Sequence, residues 1–133
     1  MMSLVEVTPR IVKRVQDGEK ITQDEFVDVV SRSLPRAWEI VSGLVDQKRE
    51  TSAGELAQFA PESLDDGTRG ELLRMMASNA IRGTVENHFG MTFGFQNCHT
   101  LAAFYPETEQ EAFKKFISIE AQILNQSPEM RDC

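Results

Sequence analysis

Cysteine is scarce in this chain: Cys98 and Cys133 are its only two, they form no C-x-x-C pair, and they are too few for a disulfide framework. That usage agrees with a reducing interior, and the expected location is the cytoplasm. Long apolar runs are missing as well. None approaches the roughly 20 residues a membrane-spanning helix needs, and the first dozen residues lack the charged, apolar and small-residue order of a secretory signal. Positive charge is in deficit, with 14 Lys and Arg against 21 Asp and Glu and a net charge of -7. The chain as a whole is therefore repelled by phosphate backbones and anionic membrane surfaces, and neither nucleic acid nor membrane is an expected partner. One basic run, Arg10, Lys13, Arg14 and Lys20, is diluted by Asp17 and Glu19 and reads as a solvated helix face.

Catalytic signatures are the next absence. The patterns H-E-x-x-H, G-x-S-x-G, G-x-x-x-x-G-K and G-x-G-x-x-G do not occur. The run DGEKITQDEF resembles the closing half of an EF-hand calcium loop, but with Glu25 as the twelfth ligand the first falls on Arg14 and the third on Gln16. A guanidinium cannot ligate a cation, so the run reads as a tight helix-to-helix turn.

What is present is the composition of an ordinary globular chain, 41% hydrophobic and 26% charged over 133 residues. One domain spanning residues 1–133 is expected, with loosely ordered ends at 1–7 and 127–133. Helix signals recur along it. Thr8-Pro9 reads as an N-cap followed by a first helical residue, and Pro35 opens or kinks another helix. Four Ser/Thr-x-x-Glu capping boxes stand at Thr22/Glu25, Ser52/Glu55, Thr68/Glu71 and Thr108/Glu111.

The third box opens the longest helical pattern, from about Arg69 to the stop at Gly90, with Leu72, Leu73, Met76, Ala77, Ala80, Ile81 and His88 on one arc of the wheel. Ser52/Glu55 predicts a short helix carrying Ala53, Leu56, Ala57 and Ala60, and Thr108/Glu111 a final one reaching about Asn125. Met91, Phe93 and Phe95 alternate with polar or small residues in strand fashion. Residues 97–105 fit either a small helix or the turn and second arm of a hairpin, and the pair Ala102-Ala103 favours the helix. The fold class expected is mainly α, a single-domain bundle of five or six helices with room for a short β element around residues 91–95.

Two polar residues fall where the helical pattern asks for apolar ones, His88 on the central helix and Glu120 on the last. A buried carboxylate needs a cation, a protonated partner or a metal. If Cys98 and His99 fold back between these helices, the four side chains make an inventory suited to a divalent metal or to acid and base work, though no metal or other cofactor can be named from it. Phe59, Met75, Val85 and Phe89 fall on the polar side of their helix wheels and are candidates for an interaction surface. The leading expectation is a non-enzymatic intracellular protein-interaction module, an adaptor, assembly factor or regulator, partnered by another protein or by itself as a homodimer. The alternative is a small-molecule or metal site between the central and C-terminal helices.

Overall fold

The computed structural model describes residues 5–52, 54–96 and 99–124. Among them, seven helices and three short strands follow in the order α1 (Pro9–Gln16), α2 (Gln23–Ser33), α3 (Pro35–Glu50), β1 (Ala57–Phe59), α4 (Asp66–Ala77), α5 (Asn79–Phe89), β2 (Thr92–Gln96), β3 (Thr100–Phe104), α6 (Gln110–Phe116) and α7 (Ile119–Leu124). The chain is mostly helical, as expected, but it is not a pure bundle. A three-stranded antiparallel sheet of order β1-β3-β2 stands within it.

The early helices start where their signals stand. Thr8 caps α1 with Pro9 behind it, and Thr22 and Glu25 form a complete reciprocal box at α2. Leu34 ends α2 and leads into Pro35, the first residue of α3. Glu6, expected in a loose lead-in, is tied to α2: its N–H donates to Ser33 Oγ at 2.9 Å.

The central helix is two helices. Asp65, not Thr68, caps α4, its side chain accepting from the Thr68 N–H at 3.0 Å. At Ser78 the backbone turns extended (φ -91, ψ 121), and the Ser78 side chain caps α5 by accepting from Ile81 N–H. Arg82 closes the break, donating to the Met76 carbonyl at 2.7 Å and to Asn79 Oδ1 at 2.6 Å. A carbonyl that loses its intrahelical partner must find another donor, and the guanidinium is that donor. The break resets the helical phase. In α4 the inward residues are Thr68, Glu71, Leu72, Met75 and Met76, and in α5 they are Ile81 and Val85. Gly90 ends α5 in the left-handed conformation at φ 68, as its position predicts.

Two segments expected as helix are strand. Ala57–Phe59 pairs with β3, and β3 also pairs with β2, through Phe95 opposite Leu101 and Gly94 opposite Ala102. As the central strand, β3 is covered on both faces. Leu101 and Ala103 face the helical layer, whose core includes Val41, Leu44, Leu72 and Met75, while Ala102 lies on the α6 side with Phe104. Small residues fit such a position, so packing overrides the helix preference of the alanine pair. Gly94 shows the same constraint. A Cβ there would stand 2.6 Å from the Phe116 ring, so only glycine lets α6 lie against the strand.

The result is three layers: helices α2 to α5, the sheet, and α6 on its far side, with α7 in contact with α6. The last helix is likewise two, broken after Phe116, and Glu109 rather than Thr108 stands at the start of α6. The expected helix residue Ala53, the hairpin or cap residue Asn97, the thiols Cys98 and Cys133, and the expected loose ends at 1–4 and 127–133 all lie outside the described residues.

Candidate functional site

The polar constellation read from the sequence does not assemble. His88 is exposed on α5, where its ring meets Trp38 (5.4 Å) and Phe89 (4.8 Å) in a small aromatic group. Glu120 is exposed on α7, a helix with no buried residue. His99 is buried beside the β2-β3 turn, its N–H donating to the Gln96 carbonyl, and Cys98 falls outside the described residues. Among the described residues no three histidine, cysteine or acidic side chains converge as metal ligands. His88 lies seven residues after the buried Ile81 and so on the same side of α5, but in the last turn of the helix, where Trp38 and Phe89 flank its ring and leave it exposed.

Two of the interaction-surface candidates are corrected as well. Met75 and Val85 are both fully buried in the core, and Phe59 and Phe89 are partly buried against it. None of the four forms an open apolar face.

The polar groups that are buried hold the fold. Lys48, only 1% exposed near the end of α3, donates to Glu109 Oε2 at 2.8 Å and to the Glu55 carbonyl at 2.7 Å, with its Nζ 5.2 Å from the centre of the Tyr105 ring. Glu109 also accepts from the Tyr105 N–H at 2.8 Å. Burial by itself would raise the Glu109 pKa, but the hydrogen bonds from Lys48 and Tyr105 outweigh it and leave the carboxyl below its ordinary range. Glu71 works in another way. Its carboxylate accepts from the Arg36 N–H (2.8 Å) and the Ala37 N–H (3.3 Å), so a residue of α4 caps the first turn of α3, where Leu34 has no side chain to do so. Both residues act as tertiary clamps, a role that sequence spacing could not suggest because their partners are 34 to 61 positions away.

Among the described residues, a sizeable apolar opening lies elsewhere. A cleft of about 620 Å³ runs between α1, α2 and α5. Ile11, Val12 and Val15 of α1 form one wall, Phe26 and Val29 of α2 the floor, and Ala80 and Thr84 of α5 the far side. Helix α1 buries no residue completely, and Val15 stays 55% exposed. It is held at one end by charge. Arg14 donates to Glu19 at 2.9 Å and makes a two-pronged contact with Glu25, whose carboxyl is pulled down to about 2 by that guanidinium and by the Thr22 N–H. Gly18, at φ 82, makes the turn that brings the two helices together. The basic run thus spends Arg14 on its own structure, and Glu25 serves as cap and anchor.

A second apolar surface lies beyond the sheet. Phe113 and Phe116 of α6 pack on Phe104, but Ile117, Ile119, Ile123 and Leu124 are all exposed, the last at 82%. Isoleucine and leucine fill half of the six positions of α7, yet nothing among the described residues covers them.

The model of a protein family described as NucS shadow ORF matches residues 2–133, and the chain belongs to that family. No curated protein and no solved structure matches it. No helix among the described residues is long and apolar enough to cross a membrane.

Proposed function

We propose that this chain is a non-enzymatic intracellular protein-interaction module whose working surface is the cleft between α1, α2 and α5. The observation that carries the reading is the pairing of a cleft lined mainly by apolar side chains with a wall, α1, that leaves Val12 and Val15 in solvent. Surface of that kind is stabilised by covering it, and a protein partner covers it at about 25 cal/mol per Å² of apolar area removed from water. The buried ionisable groups support the same view, because Lys48, Glu109 and Glu71 are engaged in holding helices rather than facing the cleft.

A second reading has one observation in its favour. The cleft volume of about 620 Å³ falls in the range of small-molecule sites, so an apolar metabolite or acyl chain would also fit. A photo-crosslinking residue placed at position 12 in living cells separates the two. A discrete protein adduct that disappears when Val15→Asp is added supports the interaction module. No protein adduct, together with an apolar small molecule released on denaturing the purified chain, overturns it in favour of the second reading.

A further inference from the structure

We propose that β2 is a docking edge: an extended segment of another protein, with apolar side chains at alternate positions, adds to the sheet beside it as a fourth strand. This goes beyond the cleft between α1, α2 and α5 and shares no lining residue with it. β2 is an edge strand, because the sheet order is β1-β3-β2. In an antiparallel pair, residues that exchange hydrogen bonds with the neighbour alternate with residues whose N–H and C=O point away. The Phe93 N–H points away, since it donates to Glu86 Oε2 at 2.9 Å. Phe95, two positions on, shares that side, while Gly94 between them stands opposite Ala102 of β3. The outer edge thus presents the Phe93 carbonyl and both backbone groups of Phe95. Among the described residues none of these three groups has a hydrogen-bond partner. Exposed edges are ordinarily guarded by lysine, proline or a bulge. The strand TFGFQ holds neither residue, and its register with β3 runs without a bulge.

The surroundings select what can pair there. A groove of about 350 Å³ is lined by Leu73, Met76 and Ala77 of α4, by β2 from Phe93 to Phe95, and by Phe113 and Ile117 of α6 and its cap. Helix α4 packs on one face of the sheet and α6 on the other, so a groove that touches both passes around the sheet's edge. An added residue opposite Phe95 points as Phe95 does, towards Leu73 and Met76. Its two neighbours point with Gly94, towards Phe113 and Ile117. Main-chain bonds give such a contact its affinity, and the alternate pockets give it selectivity. Leu73 and Ile117 form exposed lips, whereas Phe93 and Gly94 are buried between them. The edge is therefore recessed: a single extended segment reaches it, but a second folded copy, carrying its own helices beside its own edge, is held off. The charged side chain in the groove, Arg82, is engaged by the Met76 carbonyl and Asn79, and the net charge of -7 opposes a phosphate backbone. A peptide, rather than a nucleic acid, fits these terms.

Nuclear magnetic resonance of the isotope-labelled full chain tests the proposal. The probe is an acetylated, amidated peptide of alternating valine and threonine, about seven residues long. The control is the same peptide N-methylated throughout, which keeps every side chain but can neither donate to a strand edge nor approach it. The unmodified peptide is expected to bind saturably below about 1 mM. It should shift the amides of Leu73, Phe95 and Ile117 and slow hydrogen exchange at the Phe95 N–H about tenfold. The N-methylated peptide is expected to bind at least about tenfold more weakly. Leu73→Asp and Ile117→Asp change exposed lips, and circular dichroism verifies that each variant keeps the native helix content. Each should weaken the unmodified peptide about tenfold.

No saturable binding, equal binding of the two peptides, or shifts that fall on Val12 and Phe26 instead of β2 overturns the proposal. A mixed-sequence single-stranded oligonucleotide that shifts the same amides at lower concentration than the peptide overturns it as well. The crosslinking result at position 12 is independent of these outcomes, so the reading of the cleft stands or falls separately.

Discussion

Replacing Lys48 by methionine tests the physical account of the fold most sharply. The methionine keeps an unbranched apolar stem in a site that is 1% exposed, but it removes the cation that balances Glu109. The carboxylate keeps the Tyr105 N–H and loses the 2.8 Å contact with the ammonium. Breaking a buried pair on one side is destabilising by roughly 3 to 5 kcal/mol, because the remaining charge is desolvated without compensation. With an unfolding entropy of about 2 cal/mol/K per residue, that corresponds to a fall in melting temperature of roughly 11 to 18 °C for a chain of this length.

The pH dependence has a definite sign. In the native protein the Glu109 pKa is depressed, so its contribution is present above the unfolded carboxyl value of 4.5 and is lost as pH falls through the folded value. In K48M the largest remaining influence is burial, which raises the pKa, and protonation then relieves the penalty. Urea unfolding followed by Trp38 fluorescence and circular dichroism at pH 7 and pH 5 should show the gap between native and K48M narrowing at the lower pH. The double variant K48M/E109L should recover most of the loss, since an apolar pair of similar volume replaces the ions. A K48M cost below about 1 kcal/mol, or a gap that does not narrow on acidification, refutes the reasoning.

Two further outcomes follow from single contacts. Glu71→Ala removes the carboxylate that caps α3 from α4 and should lower stability by about 1 to 2 kcal/mol, with faster amide exchange confined at first to Arg36 and Ala37. Gly94→Ala places a Cβ 2.6 Å from the Phe116 ring, and urea unfolding should register a loss of about 1 to 3 kcal/mol, while pairing the change with Phe116→Leu should return part of it.

The sequence by itself determined the elements whose signals are local. Thr8 with Pro9, the Thr22/Glu25 box, Pro35 and the left-handed Gly90 each satisfy a helix terminus within a few residues, and all four stand where the structure has those termini. The strand alternation of Met91 to Phe95 was also legible, and β2 covers Thr92–Gln96.

What only the tertiary structure decided is everything that depends on a distant partner. Ala57–Phe59 and Thr100–Phe104 are strands because they pair with each other, and β3 needs small side chains on both faces. Glu71 and Glu109 look like first-turn helix residues in the sequence but spend their carboxylates on α3 across the molecule. Ser78 carried a usable signal, a serine able to cap a new helix inside a continuous pattern, yet whether a helix breaks there depends on Arg82 closing the gap. The restart turned Val85 into the core, while His88, on the same side of α5 but in its last turn, stayed in solvent. The apolar cleft followed for the same reason: local chemistry starts and stops a helix, but which face is covered is set by what packs against it, and no spacing along the chain encodes that.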